Sequence, residues 1–257
     1  MRPQIIAEVG INHCGKMSIA KRAIELAKLY GADVAKFQLY QPERLLNKTD
    51  YPSFGHWQAI RESELSFKQA KELKDYCDLV GIEFMASAFD FERLGWLEDF
   101  GVKRHKIASR SIYDSAYCQA VKNTYKPYLV STGWVREDNP LGETPRQTWE
   151  RIGRKEFKAE WLYCVSKYPT KLEELQFHHY LFTTQLSKKW EWYDGFSDHT
   201  IGLTAAKVAI SLGAKIIEKH FTLNRSLPGP DQAGSIEPLE LKELCKFRDG
   251  FVEIMGC

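Results

Sequence analysis

Short runs of β-branched and aromatic residues alternate with amphipathic stretches along the whole chain. The strand-like runs cover residues 4–10, 34–38, 83–87, 104–108, 128–131, 161–166, 193–197 and 215–220. Between the first two, Ile19, Ala23, Leu26, Ala27 and Tyr30 recur near a 3.6-residue period, so residues 18–30 predict a helix that stops at Gly31. Residues 67–80 end at Gly81 and residues 201–212 at Gly213 in the same way, and residues 238–255 supply a last helix. Such alternation predicts parallel strands joined by crossover helices. Eight units use the whole chain and predict an α/β fold, a (β/α)8 TIM barrel forming one domain over residues 1–257. Residues 41–64 read as a long polar and aromatic loop after strand two. Residues 136–154 read as a weak helical region rich in Pro, Gly and charge.

Side chains alternate along a strand, so each barrel strand shows one face to the interior and one to the helices. In strand one, Ala7 and Val9 suit the helices, and Ile6 and Glu8 the interior. In strand two, Ala35, Phe37 and Leu39 suit the helices, which leaves Lys36 and Gln38 inside. Strand eight sets Ile217 and Phe221, with Lys219 between them, against Glu218, His220 and Thr222. In strand four, Lys106 and Ala108 share a face, and a bulge would redirect Ser109. The inward positions near the C-terminal strand ends are then Glu8, Lys36, Gln38, Ser87, Lys106, Ser109, Ser131, Ser166, His199 and His220. Branched apolar side chains normally fill such an interior, and active sites of this fold occupy that end. Charge placed there needs a partner or a ligand.

Two lysines among small hydroxyls suit a phosphate or a phosphorylated carboxylate, because ammonium groups bring charge and hydroxyls bring directed donors. The bland reading is an internal ion pair of either lysine with Glu8 or Glu218. His199 and His220 end neighbouring strands, and two imidazoles a strand apart can hold one divalent cation, with Asp231 or Glu8 as an oxygen ligand or hydrogen-bond partner. The bland reading is two hydrogen-bonded structural histidines, and residues 197–200 also read as a helix N-cap. His13 lines the site or makes the turn after strand one. His56, His105, His178 and His179 read as surface or loop residues. Tyr168, before Pro169, sits at a loop stop and can close over a sugar. The tryptophans need only packing.

Composition narrows the function class. With 44% hydrophobic and 27% charged residues a packed core is expected and disorder is not. Lys plus Arg total 36 against 34 Asp plus Glu, a formal charge of +2, so no basic field points to nucleic acid and any attraction for an anion is local. No apolar run reaches membrane-spanning length. The N-terminus enters a strand without a signal peptide. Six cysteines without CxxC spacing suit free thiols in the cytoplasm.

The motifs that carry this chemistry resemble the N-acetylneuraminate (sialic acid) synthase family. They are residues 6–15 (IAEVGINHCG), 36–38 (KFQ), 106–109 (KIAS), 131–133 (STG), 164–169 (CVSKYP), 195–200 (GFSDHT), 218–222 (EKHFT) and 229–231 (GPD), in the family's order across nearly the whole chain. The resemblance implies a barrel that condenses phosphoenolpyruvate with an N-acetylated amino-sugar aldehyde, releasing phosphate and a nine-carbon 2-keto acid. By motif, Lys36, Lys106, Ser87, Ser109, Ser131, Ser166 and Ser197 are implied to hold phosphoenolpyruvate. His199 and His220 are implied to bind Mn2+ or Mg2+, Gln38, Tyr168 and Asp231 to meet the sugar, and Glu8 to lie near the metal and the attacking water.

The chain departs from the family in the sugar half. Arg110 and Ser111 stand where the family usually has Gly-Glu, Ala86-Ser-Ala-Phe-Asp90 where it has Ser-Thr-Pro-Phe-Asp, Ser166 where Asn is frequent, and Gln232 where His is common. Family members usually continue into a small antifreeze-like domain that reaches the partner's active site, and this chain stops at Cys257. The sugar pocket is therefore expected to be more open, or completed by a second copy, a separate protein or residues 41–64. The alternatives to a synthase of this kind are a degenerate barrel that binds a sugar or phospho-ligand without turnover, and a related keto-sugar phosphate synthase or metal aldolase.

Overall fold

A layer of apolar side chains fills the barrel floor, and its composition follows from strand parity. The computed structural model describes residues 2–45, 54–133, 151, 159–175, 177 and 193–256. The eight strands are β1 (Gln4–Gly10), β2 (Val34–Leu39), β3 (Glu83–Ala88), β4 (His105–Ile107), β5 (Tyr128–Ser131), β6 (Ala159–Cys164), β7 (Gly195–Asp198) and β8 (Ile216–His220). They pair in parallel in sequence order, and β8 closes on β1. Ile6, Val34, Met85, Leu129, Leu162 and Ile216, one from each of six strands, form the inner cluster. Two residues further along those strands the inward set becomes Glu8, Lys36, Ser87, Ser131, Cys164 and Glu218, so the interior turns polar within one pleat repeat. Between the floor strands, Gly195 admits no side chain, because a Cβ there would lie 2.3 Å from the Ile216 carbonyl oxygen. Beneath the floor Arg104 donates to Glu83 (2.8 Å) and Gln4 (2.8 Å).

The outward faces of the same strands join the helices in one large core, with Ala7, Val9, Ala35, Phe37, Leu39, Ile217 and Phe221 all in it. The helix expected over residues 18–30 is Met17–Leu29, that over 67–80 is Phe67–Val80, and that over 238–255 is Pro238–Met255. Phe67–Val80 has its own punctuation: Ser66 and Gln69 cap each other reciprocally, and Gly81 ends it at φ 76°. The helix expected over 201–212 is shorter, Thr204–Ser211, because residues 201–203 form the turn leaving β7. Arg248, wholly buried, ties the last helix to the barrel through Asp33 (2.8 Å) and the Gly31 carbonyl (3.1 Å).

Two expectations need correction. Residues 41–64 are not simply a loop: they contain helices Pro42–Leu45 and Phe54–Glu62. The second is pinned where the Tyr40 hydroxyl donates to the Ile60 carbonyl at 2.7 Å, beside a small cluster of Ile11, Tyr40 and Ile60. His105 is not at the surface. It is buried on β4, with Nε2 2.7 Å from Glu98, because its parity is opposite to that of inward Lys106. The Pro- and Gly-rich region at 136–154 lies outside the described residues except for Arg151, as do His178 and His179. Among the described residues no helix is long and apolar enough to cross a membrane.

Candidate active site

Four buried charges stand directly above the apolar floor. Lys36 Nζ lies 2.8 Å from Glu8 and 3.3 Å from Glu218, and Lys106 Nζ lies 3.1 Å from the other oxygen of Glu218. The internal ion pairs weighed from the sequence are therefore present, and both lysines share one carboxylate. Burial alone would lower the Lys36 pKa, but Glu218 and Glu8 override it and raise it. At Lys106 burial wins and the pKa is lowered, with Lys36 adding to the effect against Glu218. Burial disfavours the Glu218 carboxylate, yet Lys106 and Lys36 hold it well below the usual range. Each ammonium has three donors. Lys36 is ion-paired with two carboxylates, and Lys106 donates to Glu218 and to Ser131 Oγ at 2.5 Å, so Lys106 retains one donor for a ligand.

The hydroxyls follow the same parity. Ser197 donates to Glu218 at 2.9 Å, and Ser87 is the register partner of Lys106. After Ala108 the chain turns into a short 3-10 helix, Ser109–Ser111, which brings Ser109 to the cavity without a bulge. Ser109 Oγ accepts from the Gly133 amide at 3.1 Å. Gly133 leaves room for Ser166, since a Cβ would lie 2.3 Å from Ser166 Oγ. Gln38 donates to Glu8 at 3.2 Å.

His199 and His220 meet above this layer, with ring centres 5.8 Å apart. The His199 Nδ1–H donates to the Val165 carbonyl at 2.8 Å, and Nε2 lies 3.0 Å from the Tyr168 hydroxyl. Tyr168 covers the His199 ring at 4.1 Å between centres and keeps 58% of its surface exposed. Burial would lower the His199 pKa, but the neighbouring Cys164, whose Sγ is 3.6 Å away, and the Val165 carbonyl lift it to about 9, so before a cation binds the ring carries a proton on Nε2 that the cation must displace. Burial lowers His220, against Asp231 and Glu8, and its Nδ1 has no partner. A backbone carbonyl on one ring nitrogen, with the other directed at a displaceable hydroxyl, is the arrangement a metal-ligating histidine needs. An unpartnered imidazole nitrogen beside it completes a two-nitrogen donor set that fits a divalent cation, water and substrate supplying the rest. Among the described residues no group of three or more His, Cys, Asp or Glu is placed to hold a metal ion.

Every residue assigned a site role by motif, from Glu8 through Asp231, lines one cavity of about 460 Å³. That is within the size range of small-molecule sites. The same cavity is lined by Glu218, Cys164, Arg110 and Phe89, which the sequence reading had not placed among the site residues. Glu218 and Cys164 share parity with assigned neighbours, which was the available signal. Arg110 had none. His13 does not line it; Nδ1 accepts from the Gly15 amide at 3.2 Å, so the residue makes the turn.

The NeuB family pattern matches residues 23–256. The chain belongs to the NeuB family. It is an enzyme of the sialic acid synthase type, a phosphoenolpyruvate-dependent transferase that forms carbon–carbon bonds. The N,N'-diacetyllegionaminic acid synthase of Legionella pneumophila is 33% identical to this NeuB chain over 252 residues, covering 93% of it and 69% of the relative. The human N-acetylneuraminate-9-phosphate synthase is 32% identical over 252 residues, covering 94% and 68%. A solved N-acetylneuraminic acid synthetase from Leptospira borgpetersenii, in complex with citrate, matches the fold with a TM-score of 0.86 at 29% identity, over 100% of this chain and 86% of that one.

Proposed function

We propose that this enzyme condenses phosphoenolpyruvate with an N-acetylated amino-sugar aldehyde resembling N-acetylmannosamine, giving a sialic-acid-like nonulosonic acid and phosphate. The observation that carries this reading is the buried Lys36–Glu218–Lys106 bridge, ringed by serine hydroxyls, directly beneath two histidines and open to the same cavity. Buried ammonium groups beside hydroxyl donors suit a small, highly charged anion carrying both carboxylate and phosphate. The relatives support the product class and differ in product name, so the acceptor is assigned here by class.

In this reading Lys36 and Lys106, with Ser87, Ser109, Ser131, Ser166 and Ser197, hold phosphoenolpyruvate so that its methylene carbon faces the acceptor. Their charge is fixed before substrate arrives, so no reorganisation is needed as charge shifts during reaction. Gln38, Tyr168 and Asp231 orient the sugar, and Tyr168 limits water entry above His199. The resident cation would be Mn2+ or Mg2+, held by His199 and His220, and when bound it supplies Lewis-acid polarisation of the aldehyde oxygen. The methylene carbon bonds to the aldehyde carbon, and positive charge develops on the carbon bearing phosphate. Water adds to that carbon and gives its proton to Glu8, which Lys36 and Gln38 hold in place. Glu8 passes that proton to the alkoxide formed at the former aldehyde oxygen. Cleavage of the bond between the carbon and the phosphate oxygen then expels phosphate, which takes the remaining hydroxyl proton and leaves the keto group. The buried free thiols Cys77, Cys118, Cys164 and Cys245 suit the reducing cytoplasm in which we place the reaction.

The test is phosphate release from phosphoenolpyruvate plus Mn2+ across N-acetylmannosamine, its 6-phosphate and diacetamido hexoses. Release matched by 2-keto acid supports the reading, and Lys36→Ala and Lys106→Ala should each abolish it. Full activity in both variants would overturn it. Calorimetric binding of phosphoenolpyruvate without release from any acceptor would instead mark a barrel that binds and does not turn over.

A further inference from the structure

The side of the barrel mouth opposite the histidines carries a cation that the proposed chemistry does not use. Arg110 sits in the turn after β4, its guanidinium donating to the Leu45 carbonyl and lying 5.8 Å from the Phe89 ring centre. Leu45 follows β2 and Phe89 follows β3. In a barrel closed in sequence order, β2, β3 and β4 stand across from β6, β7 and β8, which lead into Tyr168, His199 and His220. A ligand whose reacting carbonyl lies at the histidines therefore extends its far end toward Arg110.

Charge separates Arg110 from the other basic residues of the cavity. Lys36 is paired with Glu8 and Glu218, Lys106 with Glu218, and Lys219 with Asp198. Among the described residues no carboxylate pairs with Arg110, and its partners are a neutral carbonyl and an aromatic ring. One of its five donors is spent on Leu45, so the rest of the planar fork is open to an oxyanion. Phe89 lies beside the guanidinium within cation–π distance.

We propose that Arg110 determines specificity, and that the acceptor carries an anionic group, phosphate or carboxylate, on the end remote from its aldehyde. This rests on the reaction proposed above and names the acceptor's charge. The experiment compares N-acetylmannosamine, its 6-phosphate and the corresponding 6-carboxylate at saturating phosphoenolpyruvate, for the native enzyme, Arg110→Gln and Arg110→Lys. The expected result is that one anion exceeds the neutral sugar at least about tenfold in kcat/KM. Arg110→Gln should lose at least about tenfold more on that anion than on the neutral sugar, through KM, and Arg110→Lys should restore part of it. The preferred anion separates phosphate from carboxylate. Equal kcat/KM for all three sugars, or an equal loss on all three in Arg110→Gln, would overturn the proposal. If no sugar releases phosphate, the reaction itself is refuted, and calorimetry of the same sugars then decides the role of Arg110. Tighter binding of an anion that is lost in Arg110→Gln supports it, and equal affinities overturn it.

Discussion

Lys219 and Asp198 form a buried ion pair, Nζ to Oδ2 2.8 Å, each one residue from a cavity histidine. They are register partners on β8 and β7. Lys219 also donates to the Thr200 carbonyl at 2.8 Å, and Asp198 Oδ1 accepts from the Thr200 amide (2.8 Å) and hydroxyl (2.7 Å). Both also line the cavity, and because parity alternates along each strand, holding 198 and 219 in register fixes the facing of 199 and 220 beside them. Removing one partner strands a buried charge, which costs about 3–5 kcal/mol, whereas replacing both by apolar groups is often nearly neutral. Lys219→Met should therefore lower the urea midpoint strongly, and adding Asp198→Leu should recover much of the loss. A double variant as unstable as the sum of the single ones would show that the pair does not act as a unit.

Two glycines should separate barrel stability from site geometry. At Gly133 an added Cβ would lie 2.3 Å from Ser166 Oγ and 3.0 Å from Cys164 Sγ, both on the cavity wall. At Gly195 it would meet the Ile216 carbonyl oxygen at 2.3 Å, in the floor. Overpacking of this kind costs about 1–3 kcal/mol. Gly195→Ala is expected to lower the melting temperature with little change in the KM for phosphoenolpyruvate. Gly133→Ala is expected to raise that KM about tenfold or more for a comparable stability loss. Steady-state kinetics beside thermal melts decide it, and the same KM in both variants contradicts the distinction.

Strand parity made much of this molecule legible in the sequence. Once Ala35, Phe37 and Leu39 are given to the helices, Lys36 and Gln38 have only the interior left, and the same rigid period sends Glu8 and His220 there. His105 obeys the same rule. Its alternation with Lys106 already directed it outward into the helix layer, and reading it as a surface residue ignored that signal. Other features depend on which strands become neighbours, and no local period encodes that. Lys219 finds Asp198 through the β7–β8 register. Glu218 reaches both lysines only because β8 closes on β1 and the strands tilt across the interior. Arg110 meets Leu45 and Phe89 from three separate connections. Phe54–Glu62 is a nine-residue helix whose few apolar positions left it indistinguishable from a loop.

His13 should make the enzyme acid-sensitive in a defined window. It is fully buried, and burial pulls its pKa down to about 4 from 6.5. Nδ1 accepts from the Gly15 amide, so the proton sits on Nε2 and the native ring is neutral. Below pH 6.5 the unfolded chain takes up a proton that the folded one refuses until about pH 4. Stability from this group is thus complete above pH 6.5 and is lost as pH falls toward 4, at up to about 1.4 kcal/mol per pH unit. His13→Asn keeps an acceptor beside Gly15 and removes the titration. Urea midpoints measured from pH 7 to 4 should fall less steeply in that variant, and parallel curves would assign the acid loss to other groups.

Loss of either cavity histidine should abolish the response to metal without unfolding the barrel. His199 and His220 project from neighbouring strand ends, and their rings are 5.8 Å apart. Two nitrogen ligands give a site that chelators strip readily, so EDTA should stop phosphate release and Mn2+ should restore it. His199→Ala and His220→Ala each leave one nitrogen, and neither should show an Mn2+-dependent rise in melting temperature. Binding to the native state alone stabilises it by RT ln(1 + [L]/Kd), about 2.7 kcal/mol at a hundredfold excess over Kd, so the native protein's shift should be plain. Tyr168→Phe is the control for the His199 side: it removes the hydroxyl 3.0 Å from Nε2 and should leave the Mn2+ shift intact or enlarge it. An Mn2+ shift that survives in both alanine variants, or turnover that EDTA does not touch, would place the metal elsewhere or remove it from the reaction.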